Sequence, residues 1–520
     1  MFHGPIASPH SAVLNPLILE NGRMGSPLSE FKSPSAAKHT RAATADAPFP
    51  RSQRLYWTAG LNGMETLLRA VLALLFPTVT LSCLIRAQAP EFMSLASARP
   101  VLQAMRGSLP PELKTAGAVD AAAWDAWVRA KDRAIRSRVA KGEELTLANL
   151  LRLGITYTGE RRITFDLLSR YGGDPVVNSA VERRTGDLIR ALAAPHAPEG
   201  MLQMRAFLKE NGYSVNTPEA QKRTRAYLLG ALVRQRDGVA REREKAKSST
   251  SQLFKDRGLS TDSDLYTGYA LDLHLTNLAR SGVLRPGSVH RVAIIGPGLD
   301  FVNKKSGYDF YPPQTIQPYA VIDSLARLGL ADAASIEVCT YDISPRVNQH
   351  IERARESAAR GDPYTIQVLW NRSAGGSARY LSDFMEYWRR FGEQIGKPAD
   401  AIAVPEAARI DLMTRAVRIR PAFAARISAV DMNVIFQTQS RPPEKRFDLV
   451  IGTNIFLYYD DLQQALARVN LAAMIQPGGL LVSNTILSVA GPSKLEDSVR
   501  TDIPLQPGLT DYVYSYLRRP

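Results

Sequence analysis

One stretch constrains this chain more than any other: Arg291 to Phe301, RVAIIGPGLDF. Val292 to Ile295 is a short uncharged run that reads as a buried strand, and it enters a glycine turn, Gly296-Pro297-Gly298. A strand ending in a Gly-x-Gly turn is how α/β domains bring backbone close to a nucleotide-like ligand, because glycine has no Cβ to hold the ligand off. The rest of the chain reads as a helical preface and then an α/β domain built around that turn.

Other sites are disfavoured by what the chain lacks. The dinucleotide fingerprint needs a third glycine three residues after the second, and Phe301 stands there. It also needs an acid about 20 residues further on. The acid that ends the second strand, Asp342, comes more than twice as far away. A nicotinamide dinucleotide is therefore disfavoured. There is no GxxxxGK[ST] for a P-loop and no GxSxG for a hydrolase serine. There is no HExxH and no CxxC, and the 7 histidines are scattered, so no metal ligand is assigned. Two cysteines, Cys83 and Cys339, make no disulfide framework.

The chain has 520 residues, enough for two or three domains, and a net charge of +15. Such a charge favours acidic partners and says nothing of fold. Part of it sits on one helix that starts at Thr217-Pro218-Glu219 and carries Arg223, Arg225, Arg234, Arg236, Arg241, Arg243, Lys245 and Lys247. No aromatic stacking pattern or groove-reading motif accompanies it. It reads as a solvated basic face, and nucleic acid is disfavoured as a partner.

Residues 1–63 are rich in Pro, Ser and Ala without apolar periodicity and read as a disordered N-terminal extension. From Met64 the chain changes: Arg69, then an uncharged apolar run from Ala70 to Ile85, then small residues at Ala87 and Ala89. That is the layout of a signal peptide over 64–89. The alternative is an uncleaved membrane anchor, with contact through residues 65–85 and Arg69 and Arg86 at its ends. The location is membrane-associated or exported if this segment acts as a signal, and cytoplasmic otherwise.

Residues 90–250 read as a helical domain, with Leu147, Leu150 and Leu151 on one stripe. From 251 to 520 helices and strands alternate. Helices are expected over 264–281, 316–330, 378–396 and around 462–469. Strands are expected over 292–295, 335–341, within 424–436, and over 447–451 and 479–483. Alternation of this kind predicts a Rossmann-like, mostly parallel sheet with helices on both faces. Tyr512, Tyr514 and Tyr516 alternate with Val513, Ser515 and Leu517, which predicts an antiparallel edge strand at the C-terminus.

The glycine turn after strand one and Asp342 closing EVCTYD together resemble the class I S-adenosylmethionine-dependent methyltransferases. In that family the turn lies against the amino-acid part of the cofactor, and an acid ending the second strand takes the ribose hydroxyls. A carboxylate can accept both hydrogen bonds of a vicinal diol. Arg446 to Ser483 is similar to one branch, the chemotaxis-receptor glutamate methyltransferases. The matching features are FDLV leading to Asn454, the pair Tyr458 and Tyr459, a helix, and Pro477-Gly478-Gly479 before a strand.

The resemblance implies S-adenosyl-L-methionine as cofactor, held by Gly296, Gly298, Asp300, Asp342, Asp431, Asn433 and Asn454. It names no methyl acceptor and no catalytic residue. The chain departs from the family pattern where an acid usually precedes the first glycine (Ile294) and where a third glycine stands (Asp300). An unusual insertion, FVNKKSGYDFYPPQT, follows the turn and could form part of a lid or substrate pocket. Tyr308 and Tyr311, with Tyr458, are the substrate-pocket candidates. The competing expectation is an exported or anchored non-catalytic protein that kept the methyltransferase fold.

Overall fold

The computed structural model describes residues 89–520 apart from 115–119, 249–257, 303–306, 372–375, 411, 488–492 and 507–508, and only the backbone of 242–248 and 506. The expected disordered extension and all but the last residue of the expected signal or anchor lie outside the described residues. No helix among the described residues is long and apolar enough to cross a membrane.

The chain opens on helices α1 (Leu95–Ala104), α2 (Ala121–Leu153), α3 (Pro175–Ala193), α4 (Glu199–Glu210) and α5 (Pro218–Ser248). Then come α6 (Leu265–Arg280), β1 (Arg291–Ile295), α7 (Gln317–Arg327), β2 (Glu337–Asp342), α8 (Pro345–Ala359), β3 (Tyr364–Asn371), α9 (Ala378–Arg390), β4 (Gly396–Ala399) and β5 (Leu412–Ile419). The last elements are β6 (Ile427–Asp431), β7 (Phe447–Ile451), α10 (Asp461–Met474), β8 (Ile475–Ser483), β9 (Leu495–Gln506) and β10 (Leu509–Arg518). Local chemistry sets many helix starts. Asp120, Asp174 and Asp264 each accept from backbone N–H groups of the first turn they cap. Asp460 and Gln463 form a capping box on α10.

The main sheet has seven strands in the order β9-β10-β8-β7-β1-β2-β6. The pairs β1–β2, β1–β7, β2–β6 and β7–β8 are parallel, while β10 runs antiparallel to both β8 and β9. This is the Rossmann-like sheet, mostly parallel with an antiparallel strand near its C-terminal side. The antiparallel strand carries the tyrosines, as expected, but it is not the edge: β9 lies outside it. The strand order reverses between β1 and β7, and α/β sheets bind ligands at such switch points.

Strand periodicity divides the core. Val292 and Ile294 face a core built with α6, α7 and α9, whereas Ala293 and Ile295 face a core that includes α10, α1 and the first half of α2. The second half of α2 turns to a third core. There Leu147, Leu150 and Leu151 pack with α3, α4 and α5. Helix α2, 33 residues long, therefore spans from the sheet to the helical cluster.

Between α8 and β6 the chain inserts a three-stranded antiparallel sheet, order β3-β5-β4, with α9 packed beside it. On α5, Arg225 pairs with Glu182, Arg234 with Glu144, and Arg236 with Asp237, so part of the basic face is neutralised by the chain's own surface carboxylates.

Candidate functional site

A cleft of about 570 Å³, including its open mouth, lies at the C-terminal ends of β1, β2 and β6. Its floor is the glycine turn, with Gly296 and Gly298 both at positive φ (64° and 74°). One wall is Tyr341 to Ser344, at the end of β2 and the start of α8. A second is Met432, Asn433 and Val434 after β6, and a third is Ile455, Tyr458 and Tyr459 after β7. Val139 of α2 and the segment Leu259–Thr261 complete it. The lining is mostly apolar with a few polar groups, the make-up of a small-molecule site.

Asp342 is the charged group in this lining. It stays partly exposed, and its Oδ1 accepts from the Ser344 N–H at 2.7 Å. Burial pushes its carboxyl up to about 7. The Ser344 hydroxyl beside it is buried and has no partner. A partly desolvated acid next to an unpartnered hydroxyl is a site short of hydrogen-bonding partners.

The cleft is roofed by the protein's own chain. Leu259 N–H donates to the Arg138 carbonyl of α2 at 3.0 Å, and Leu299 N–H donates to the Thr261 carbonyl. A Cβ on Gly298 would sit 2.3 Å from the Asp262 carbonyl oxygen, and one on Gly296 would sit 2.2 Å from Ile455 Cδ1. Arg138 also donates to the Tyr458 carbonyl at 3.1 Å, and its guanidinium lies 5.9 Å from that ring's centre.

Of the residues expected from sequence, Gly296, Gly298, Asp342, Asn433 and Tyr458 line this cleft. The others are not among its lining residues. Asp431, half-exposed, is held by Arg136 of α2 at 2.6 Å. Even Asn433 gives its side-chain amide to Asp132 of α2 at 2.8 Å. The end of β6 thus docks α2 as well as walling the cleft.

Asp300 is partly buried and accepts from the Tyr311 hydroxyl at 3.0 Å. Its carboxyl is pushed up to about 8 by burial, with Asp262 adding to the shift. Tyr308 and Tyr311 are buried in a small core with Ala408 and Leu412. Asp309 accepts from the backbone N–H groups of Ile155 and Thr156 after α2. The described part of the insertion therefore braces the helical cluster against the three-stranded sheet, and Tyr308 and Tyr311 are not among the cleft's lining residues. Asn454 is exposed and, at φ 59°, is the non-glycine residue with positive φ among the described residues. Asn454 and Asn484 exchange two hydrogen bonds of 2.7 Å at the ends of β7 and β8.

Sequence reasoning missed Ser344, Val139, Leu259–Thr261 and the apolar Met432, Val434 and Ile455. Only Ser344 left a local signal: Ser before Pro, two residues after the acid, marks a helix start at the ligand end of the sheet.

No protein-family model and no curated protein matches the chain. Among solved structures it is similar to the N-methyltransferase NodS from Bradyrhizobium japonicum, at 15% identity over 48% of this chain and 95% of that one, with a TM-score of 0.23. It is similar to TrmN from Thermus thermophilus at 12% identity over 49% and 52%, with a TM-score of 0.24. The S-adenosylmethionine-dependent methyltransferase SibL is similar at 14% identity over 74% and 96%, with a TM-score of 0.24. At scores this low the fold assignment rests on the chain's own strand order.

Proposed function

We propose that this chain is an S-adenosylmethionine-dependent methyltransferase-like protein, with the cofactor's nucleoside in the cleft over β1, β2 and β6. The observation that carries the reading is Asp342. It ends β2, stays partly exposed in the cleft, and sits across from the glycine turn of β1. A vicinal diol would donate to that carboxylate, and Met432, Val434 and Ile455 would sandwich a flat base.

The residues present fit the nucleoside end of the cofactor. Bound S-adenosylmethionine would supply a methyl group already activated on a sulfonium, so no protein nucleophile is required. The chain's own part is to hold the nucleoside, exclude water with the apolar lining, and align an acceptor. The acceptor is unassigned. The chemotaxis-receptor glutamate methyltransferase branch is the finer form of this reading. It is supported by Arg446 to Ser483 alone, where Tyr458 and Tyr459 reach the cleft.

Calorimetry of the full chain with S-adenosylhomocysteine tests the reading, and saturable binding is expected. A folded protein that takes up no ligand at near-millimolar concentration sinks it.

A second reading is a non-catalytic, exported or membrane-anchored protein that retains the fold. Gly298 favours it: the Asp262 carbonyl fills the space a side chain would need, so the glycine is accounted for without a ligand. On this reading residues 64–89 act as the signal or anchor. N-terminal sequencing with cell fractionation separates the two, because a cytoplasmic protein that binds S-adenosylhomocysteine excludes it.

A further inference from the structure

We propose that Ser344 is a nucleoside-reading residue, whose hydroxyl joins the Asp342 carboxylate in holding an unphosphorylated ribose diol at the first turn of α8. This deepens the methyltransferase reading and, for the identity of the full cofactor, rests on it.

Ser344 is the N-cap of α8, a 15-residue helix, with extended backbone at φ −84° and ψ 115°. A serine there ordinarily accepts from an N–H of the first turn. The hydroxyls of Ser94 and Ser377 do so on α1 and α9, each taking the N–H three residues on. Ser344 makes no such bond. It is 1% exposed, its Oγ has no partner, and it lines the cleft. The capping hydroxyl is thus left without a bond to its helix, on a residue that lines the cleft beside Asp342. A buried hydroxyl left unpaired destabilises the free protein, and a bound group that pairs with it removes that penalty.

The chemistry of the ligand follows from the neighbours. Asp342 only accepts when ionised, so it takes a hydroxyl that donates. Ser344 both donates and accepts, so it can meet the oxygen of that hydroxyl or of its neighbour. The Ser344 N–H is committed to Asp342 Oδ1 at 2.7 Å, which fixes the two residues against each other. A phosphate on either ribose oxygen is disfavoured. It would face the Asp342 carboxylate. The guanidinium nearest in sequence, Arg346, is already spent on Glu143 at 2.7 Å and Glu210 at 2.6 Å.

The test uses the full chain and calorimetry with adenosine, 2′-deoxyadenosine, 3′-deoxyadenosine, the 2′- and 3′-monophosphates of adenosine, and S-adenosylhomocysteine. Wild type should bind adenosine and lose at least about tenfold in affinity for either monophosphate, one charge repulsion with no compensating cation. Ser344→Ala should weaken adenosine roughly three- to tenfold, the worth of one net hydrogen bond. It should leave one of the two deoxynucleosides unaffected, namely the one lacking the hydroxyl that Ser344 meets. The melting temperature of Ser344→Ala should stay level or rise, because an unpaired hydroxyl is removed. A fall would mean a structural capping role and overturn the proposal. Unchanged adenosine affinity in the variant, or equal binding of the monophosphates, also overturns it. Adenosine binding with the Ser344 effect but without S-adenosylhomocysteine binding keeps this proposal and removes the methyltransferase reading. S-adenosylhomocysteine binding without a Ser344 effect does the reverse. Binding of neither ligand removes both.

Discussion

Arg346 of α8 donates from Nε to Glu143 Oε1 of α2 at 2.7 Å, with only 16% and 12% of the two side chains exposed. The pair ties the element behind the cleft to the helix that roofs it. Burial raises the Glu143 carboxyl, and Arg346 opposes that shift.

Removing one partner of a pair this buried leaves the other charge uncompensated. Arg346→Met should therefore destabilise the fold by about 3–5 kcal/mol near neutral pH. The loss should shrink at pH 5, where an unpaired Glu143 takes up a proton, and Glu143→Gln added to Arg346→Met should recover most of it. Urea denaturation at pH 5 and pH 8 measures both effects, and an equal loss at the two values contradicts the account.

Asp300 and Asp323 lie well above the ordinary carboxylate range, at about 8 and about 6, both chiefly through burial. A carboxyl raised on folding contributes stability that is complete at low pH and lost as pH rises through its folded value. The protein should thus lose stability between pH 4 and pH 8. Asp300→Asn keeps an acceptor for the Tyr311 hydroxyl and cannot ionise. It should match wild type near pH 5 and exceed it above pH 8. Parallel melting curves for the two proteins across this range would count against a protonated Asp300.

Asp342, at about 7, links ligand binding to protons. A diol that donates to the ionised carboxylate lowers its pKa, so affinity for S-adenosylhomocysteine should fall as pH drops below about 7, with proton release on binding near that value. Asp342→Asn removes a charged acceptor and should cost roughly 10- to 100-fold in affinity, on the scale of one or two charge-assisted hydrogen bonds. It should also abolish the pH dependence. Calorimetry in buffers of different ionisation enthalpy reads the proton count directly.

The two glycines of the turn should differ in tolerance. Both have positive φ, so alanine is strained at either by about 1–2 kcal/mol. At Gly296 the added methyl meets the tip of Ile455, whereas at Gly298 it meets backbone oxygen of Asp262. Gly296→Ala should be partly rescued by Ile455→Ala, and Gly298→Ala should be the more destabilising and not rescued. Chemical denaturation of Gly296→Ala and Gly298→Ala, each alone and combined with Ile455→Ala, decides this.

Much of the sheet was legible because its inner strands are buried on both faces. Val292–Ile295 is a short apolar run, and Phe447–Ile451 is one apart from Asp448. The tyrosine alternation gave β10. Strand β9 was not legible, since LEDSVRTDIPLQ is polar on its outer face and contains a proline, as edge strands are. The inserted sheet was missed as well. Its strands are half-buried and pair only with each other, so no apolar run announces them. At the site, Asp342 and the glycines could be found from a strand end and a turn. The fates of Tyr308, Tyr311 and Asp431 could not. Each depends on a distant partner, in Leu412, Ala408 or Arg136, that no local pattern reveals.

The shared core of the first helices and the last third of the chain has a consequence during synthesis. Trp124, Val128 and Ile135 of α2 are buried in the same core as Phe436, Leu466 and Leu471. At typical elongation rates of about 5–20 residues per second, those partners emerge tens of seconds after α2 does. Through that interval the ribosome presents an apolar helix face with nothing to cover it. Helix α1 and the first half of α2 therefore wait for α10, whereas the second half of α2 can pack with α3, α4 and α5 as soon as those helices are made.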